Sequence, residues 1–435
     1  MTPTTPHRSR SWLAAALALA FAPLAAPATA QPTLTLDQAM SHPDWIGPPV
    51  EQAWWALDGQ QAYYTLKREG SPVRDTWRIG IDGSGNARVD DAALSDIDDA
   101  SVVHDASRSR AAFVRHGDVF LRDLRTGSLQ QVTRGGDSAS DLRFASDGGL
   151  LWREGSDWRH WNARNGLLSQ VLQLKAEKDP ASPPDEDYLR EMQLRLIDTL
   201  AREKAEREAL RERDAELREA DPSRAHAPVF LGDEVQLADS TLSPALTHAL
   251  VVTEPKNGDP GQRGGMPRYV TESGYEDTEE VRTRVGRNDP AAQALHVVAL
   301  GTGDVTTLSF YALPGIGEDP LVDLREAAGK DALEGNRPLR VIGMRYSDDG
   351  QRAAVMLRSV DNKDRWLASV DFAAATLRPL AHGIERFLRR KPIDFRAYVL
   401  ISSGPADCRT HTRVDGDRRT SDRDMARRLL VRCRD

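Results

Sequence analysis

The sequence predicts an all-β fold, an incomplete β-propeller of about five to seven blades with one inserted helical segment. Three observations predict it. An Asp-Gly turn feeding an apolar strand recurs along the chain, at Leu57-Asp58-Gly59-Gln60, Ala145-Ser146-Asp147-Gly148 and Ser347-Asp348-Asp349-Gly350-Gln351. Short strands and turns follow one another closely between these points. One stretch alone, residues 185–220, departs from this grammar.

The blade signal is plainest between Ser107 and Gly135. Ala111–Arg115 reads as a strand, His116-Gly117-Asp118 as a turn and Val119–Leu124 as an alternating second strand. Arg125-Thr126-Gly127-Ser128 then turns into Leu129–Thr133, a third strand. The Gly and Asp residues stand where a tight reversal needs positive φ or a side chain that caps its own backbone. Elsewhere Ala62–Leu66, Leu150–Trp152 and Ala353–Leu357 follow the Asp-Gly turns, and Leu295–Leu300 and Trp366–Asp371 supply later strands. The spacings cluster around a blade-sized period of roughly 40 to 50 residues. A β-sandwich with similar hairpins is the competing architecture, but it does not require one turn type over most of the chain.

The helical segment, 185–220, is rich in Glu, Arg, Ala and Leu, with Pro183-Pro184 before it and Asp221-Pro222 after it. Leu189, Met192, Leu196, Ile197 and Leu200 share one helical face,. Glu191 with Arg195 and Glu203 with Arg207 have the favourable i,i+4 orientation,. Two readings stand: a solvated helix packed only at its start, or an arm that covers the propeller mouth or meets a second subunit.

Composition sets the class. With 40% hydrophobic and 29% charged residues in 435, the chain has the means to build cores,. A net charge of −8 gives no reason to expect nucleic acid as a partner,. Residues 1–30 read as a signal peptide: Arg8 and Arg10, an apolar run from Leu13 to Ala26, and Ala28-Thr29-Ala30 at the cleavage point,. The apolar run is short for a membrane span. The expected localisation is therefore exported, periplasmic or secreted, with no membrane attachment after cleavage.

The order of these pieces resembles the N-terminal propeller of the dipeptidyl peptidase IV branch of the prolyl oligopeptidase family. The likeness is carried by Asp44-Trp45-Ile46-Gly47-Pro48-Pro49-Val50, Ala53-Trp54-Trp55 and Leu66-Lys67-Arg68-Glu69-Gly70-Ser71. It continues in Met266–Tyr275 and in Val285-Gly286-Arg287-Asn288-Asp289-Pro290 with Ala294–Val298. It covers residues 31–380. The resemblance implies a propeller that caps an α/β-hydrolase domain and admits peptide substrates, and a homodimer is compatible with it. It also implies an acidic pair that holds the substrate's amino terminus. The adjacent Glu279-Glu280 is the only such pair, but it reads as a solvated acidic turn and the role is not carried over.

No catalytic, cofactor-binding or metal-binding residue is assigned. Acyl transfer in this family needs a Gly-x-Ser-x-Gly elbow, and none occurs; Gly136-Asp137-Ser138-Ala139-Ser140, the nearest match, reads as a turn between blades,. His104, His116, His160 and His248 stand apart with no His-Glu-x-x-His, so each reads as a surface or strand histidine, and Gly264-Gly265 lies in a polar loop rather than a phosphate cradle,. No cofactor is expected. Residues 381–435 form an Arg-rich tail: Gly383 to Asp435 holds 13 Arg and one Lys, with Cys408 and Cys433, the only cysteines. Out-of-frame text from a GC-rich gene, beginning near His382, accounts for that composition. The resulting expectation is the gating part of an exported serine exopeptidase that is inactive by itself; the alternative is a stand-alone periplasmic propeller that binds a protein partner.

Overall fold

The structure, a computed structural model, describes residues 34–41, 46–135, 138–180, 182, 187–221, 223–259, 261–283 and 288–384. The expected signal peptide, the Arg-rich tail beyond residue 384, both cysteines and Gly136-Asp137 lie outside the described residues. The chain divides into two compact units, one to Ala100 and one from Ser101.

In the first unit a short helix, α1 (Leu36–Met40), starts at a capping box between Thr35 and Gln38,. Four strands follow as an antiparallel meander: β1 (Val50–Trp55), β2 (Gln61–Lys67), β3 (Arg74–Gly80) and β4 (Ala87–Arg88). Ala56, Tyr63 and Val89 form its buried core, with Trp54, Leu94 and Ile97 packed around them. The Asp98 carboxylate accepts the Leu57 N–H at 3.0 Å, and the Trp54 indole N–H donates to the Asp98 carbonyl at 3.0 Å, so the end of the unit is tied to its first turn. Asp75 lies between Arg68 and Arg88, at 2.6 and 2.9 Å, and their hydrogen bonds hold its carboxyl well below the usual carboxylate range.

The second unit repeats this plan four times. Its first meander is β5 (Val102–His104), β6 (Arg110–Arg115), β7 (Asp118–Asp123) and β8 (Leu129–Gln131). The next is β9 (Ala139–Phe144), β10 (Leu150–Glu154), β11 (Asp157–Trp161) and β12 (Leu168–Lys175), extended by β13 (Val229–Phe230), which pairs parallel to β12. Between β12 and β13 the chain makes two helices, α2 (Tyr188–Leu196) and α3 (Asp198–Ala220). The third meander consists of β14 (Val235–Leu242), β15 (His248–Pro255), β18 (Ala294–Ala299) and β19 (Val305–Thr307). A separate hairpin, β16 (Arg263–Arg268) with β17 (Asp277–Thr283), is inserted between its second and third strands. After a one-and-a-half-turn helix, α4 (Val322–Ala327), come β20 (Leu339–Tyr346), β21 (Ala353–Ser359), β22 (Asp364–Asp371) and β23 (Thr376–Ile384).

What joins these sheets separates a propeller from a sandwich. A sandwich sheet buries one face and alternates apolar with polar residues. Here consecutive residues of one strand are buried on opposite faces. Leu150 and Trp152 pack with Ala112, Val119 and Leu121 of the preceding sheet, whereas Leu151, Trp158 and Leu172 pack with Leu242, Ala249 and Val251 of the next. Leu250 and Val252 in turn pack with Leu339, Val355, Leu357 and Trp366 of the last. Each inner sheet is a blade covered on both faces, which explains the unbroken apolar runs Leu150-Leu151-Trp152 and Ala249–Val252. The fold is all-β and propeller-like, with one helical insertion.

The recurrent Asp-Gly turns act within blades and between them. Asp58, Asp147 and Asp349 each accept, through Oδ1, the N–H two residues on, at 2.8–2.9 Å,. Ser146 donates both its N–H and its hydroxyl to the Pro244 carbonyl of the next blade, at 2.8 and 3.0 Å. The Ser243 hydroxyl donates to the Gly350 carbonyl one blade further, at 2.7 Å. Gly350 has φ +70°, and a Cβ there would stand 2.3 Å from the Ala245 nitrogen, so neither its conformation nor its contact tolerates a side chain,.

Three expectations are corrected. The helical segment is broken at Ile197, and Leu189, Leu196 and Ile197 are exposed rather than packed as a stripe. Its ion pairs include Lys204–Glu208, Arg213–Glu216 and Arg218–Asp214. Glu279-Glu280 and Gly264-Gly265 do not lie in loops: they stand on the two strands of the β16–β17 hairpin, where Gly265 pairs with Glu280, Gly264 with Val281 and Glu279 with Met266. No helix among the described residues is long and apolar enough to cross a membrane.

Candidate functional site

Acyl transfer by a side chain needs a nucleophile, a base within hydrogen-bond reach and a group that orients the base. Four histidines have defined partners. His160, buried on strand β11, faces the Asp147 carboxylate at 3.2 Å. The close approach is possible because Gly149 carries no side chain; a Cβ there would meet His160 Nε2 at 2.7 Å. His296 lies between two hydroxyls, Nε2 to Thr253 and Nδ1 to Thr307, both at 2.9 Å, and burial lowers its pKa. Both ring nitrogens are engaged by neighbouring strands, so the ring clasps the sheet, and both its partners are hydroxyls rather than a carboxylate that would orient it as a base. His248 stacks on Phe372 at 4.6 Å, and burial lowers its pKa too.

His382 completes a charged cluster in the last blade. Its Nε2 lies 3.1 Å from Asp364, and its ring stacks on Trp366 at 5.1 Å. The other Asp364 oxygen accepts from Arg337 at 2.6 Å, and Arg337 also donates to the Gly315 carbonyl at 3.0 Å. Arg337 and Asp364 are both buried, a geometry that compensates two charges and fixes the loop before β20,. The cluster pins β23 to β22 and brings no nucleophile to the histidine.

Glu279 and Glu280 alternate along β17 and therefore point to opposite faces of the hairpin, Glu280 meeting Arg263 at 2.7 Å,. They do not converge as a clamp for an ammonium group. Ser138, described at the approach to β9, is exposed and leads directly into a strand, without the helix that a nucleophile elbow requires,. Among the described residues no group of three or more His, Cys, Asp or Glu side chains converges as a metal site.

One constellation was missed in the sequence. Arg143 on β9 has its guanidinium half-buried over the Trp158 ring, 5.1 Å from the centroid. Its Nη1 donates to the Thr241 hydroxyl at 2.9 Å and to the Leu242 carbonyl at 3.2 Å. Burial pushes the pKa of this arginine down, with Arg345 adding to that direction and Asp141 opposing it. The readable signal was a shared pattern, Arg-aromatic-x-x-Asp-Gly, at Arg143–Gly148 and again at Arg345–Gly350.

The class of protein defined by these sheets is an all-β, propeller-like one. No protein-family profile matches the chain, and no curated protein matches it in sequence. Among solved structures, the chain is similar to Porphyromonas gingivalis dipeptidyl peptidase 4, at 11% identity over 79% of this chain and 41% of that one, with a TM-score of 0.36. It is similar to a Bacteroides ovatus protein assigned as a dipeptidyl aminopeptidase IV, at 8% identity over 76% and 36%, TM-score 0.31. It is also similar to an oligogalacturonate lyase, at 12% identity over 65% and 64%, TM-score 0.26. The chain thus spans about two fifths of the length of the first of these. The fold assignment stands on the sheets and their packing.

Proposed function

We propose that the chain is the substrate-gating β-propeller portion of an exported serine exopeptidase resembling dipeptidyl peptidase IV, taking part in proteolysis when joined to an α/β-hydrolase domain and inactive by itself. The observation that carries this reading is the run of blades packed face to face in chain order, whose polar side chains are spent on turns, interblade clasps and sheet registers. Two segments that carry the family resemblance lie at the third blade of the second unit: Ala294–Val298 on β18, and Met266–Tyr275 on the separate hairpin inserted before it. A stiff stack of blades selects by size, because short peptides enter where a folded protein does not.

The test joins this chain to a hydrolase domain of the same family and compares it with that domain alone. The expected result is retained cleavage of a short Xaa-Pro peptide with loss of cleavage in a folded protein substrate. Equal cleavage of both substrates by both proteins contradicts gating.

A further inference from the structure

We propose that Asn257 is a site of spontaneous covalent modification, where water converts the side-chain amide to a mixture of aspartate and isoaspartate, and that the fold protects the chain's other Asn-Gly pair, Asn165-Gly166. Asparagine before glycine is open to this reaction because the attacking backbone nitrogen belongs to a residue with no side chain to hinder it. The Gly258 nitrogen gives up its proton to solvent base and attacks the Asn257 amide carbon. A C–N bond forms, the bond to the side-chain nitrogen breaks, and ammonia leaves with a proton from solvent. Water then opens the five-membered imide at either carbonyl. One opening gives aspartate, the other isoaspartate, whose backbone runs through the former side chain.

The two sites differ in what holds the reacting groups. Asn257 stands exposed in the turn that leaves β15 for the β16–β17 hairpin, and its carboxamide makes no hydrogen bond among the described residues. The turn itself is anchored on both sides. The Lys256 N–H donates to the Glu234 carbonyl at 2.9 Å, and the Asn288 side chain donates to the Asp259 carbonyl at 3.1 Å. The backbone is thus tethered while no bond keeps the side chain from swinging onto the nitrogen that follows it. Asn165 is exposed too, in the turn between β11 and β12, so exposure does not separate the pair. Its Oδ1 accepts the Leu167 N–H at 3.0 Å, and the Gly166 N–H donates to the Asn162 carbonyl at 2.8 Å. The carboxamide is held and the proton of the attacking nitrogen is committed, so both bonds open before that ring closes. Gly258 also lacks the positive φ of Gly166, +72°, and a Cβ on it would meet Ala291 at an ordinary 3.7 Å, so alanine fits there.

This chemistry is independent of gating by the blades. The experiment incubates the full chain in heavy-oxygen water at mildly alkaline pH, folded and in urea, and maps its peptides by fragmentation mass spectrometry that separates aspartate from isoaspartate. The water that opens the ring leaves its oxygen in the product, so the label marks conversion during the incubation. In the folded chain the expected result is labelled aspartate and isoaspartate at Asn257. Asn165 converts at least about fivefold more slowly, the factor for opening one neutral hydrogen bond. In urea the two rates converge. Gly258→Ala slows conversion at Asn257, because a methyl on the attacking residue hinders it, and leaves Asn165 unchanged. Where a thermal melt shows that variant unfolded, the wild-type comparison decides by itself. No conversion at Asn257, labelled aspartate without isoaspartate, equal rates at the two sites in the folded chain, or the same ranking in urea overturns the proposal.

Discussion

Trp158 illustrates how single side chains hold neighbouring blades together. It is fully buried on β11, packs with Leu242 and Val251 of the next blade, and donates its indole N–H to the Ser240 hydroxyl at 3.0 Å. Trp158→Ala leaves a cavity at an interblade seam, and the expected loss is about 3–5 kcal/mol, read as a lower urea midpoint. Gly350→Ala is expected to lose about 2–4 kcal/mol, since the added methyl collides with the Ala245 backbone and φ is positive,. An unchanged midpoint for Gly350→Ala would mean that the two blades are not clasped as described. Titration gives two further expectations at this scale. His296 and His248 are held below their ordinary pKa by burial, so both favour the neutral form. Their contribution is complete above the unfolded value of about 6.5 and is lost as pH falls through the folded values. Melting temperature is therefore expected to fall between pH 7 and pH 5, and to fall less in His296→Gln. Asp105 behaves at lower pH. Burial raises its pKa, but N–H groups of Arg110 and Ser109 and hydroxyls of Ser107 and Ser109 outweigh it and bring it down to about 2. Its contribution is present above the unfolded carboxylate value of about 4 and lost as pH falls towards 2.

Elements differ in how legible they were. The strands at Ala111–Arg115, Leu150–Trp152 and Ala353–Leu357 were readable because apolar runs bounded by turns that carry Asp and Gly have few other interpretations,. The hairpin at 263–268 and 277–283 was not: its strands carry Gly264, Gly265, Pro267 and Glu279-Glu280, and no core forces an apolar alternation on them. The helical segment was readable as helix from its composition, but not its break at Ile197, because propensity carries no information about where a solvated helix bends. Neither helix contributes to an interblade core. Replacing residues 187–221 by a Gly-Ser linker is therefore expected to leave the thermal midpoint of the sheets within a few degrees of wild type. A collapse of the midpoint would assign the helices a packing role. Among candidate residues, the Asp147 partner of His160 was not legible, since thirteen positions separate them. Arg143 escaped because arginine on a strand is ordinary, and its partner Thr241 is far away in the sequence.

At the scale of the molecule, the second unit is a run of blades in which many of the described polar side chains are used for construction. Sheets buried on both faces need their polar residues at edges and turns, which leaves Asp105, Asp147, Ser146, Ser243 and Asp349 capping and clasping. This division of labour is why the repeated turn was the strongest signal in the sequence. The most direct measurement is incubation of the purified 435-residue chain with a chromogenic Xaa-Pro substrate and a serine-directed phosphonate, followed by intact mass spectrometry. The account predicts no product and no adduct; product release that the phosphonate blocks, with one phosphonyl group on the chain, would contradict it.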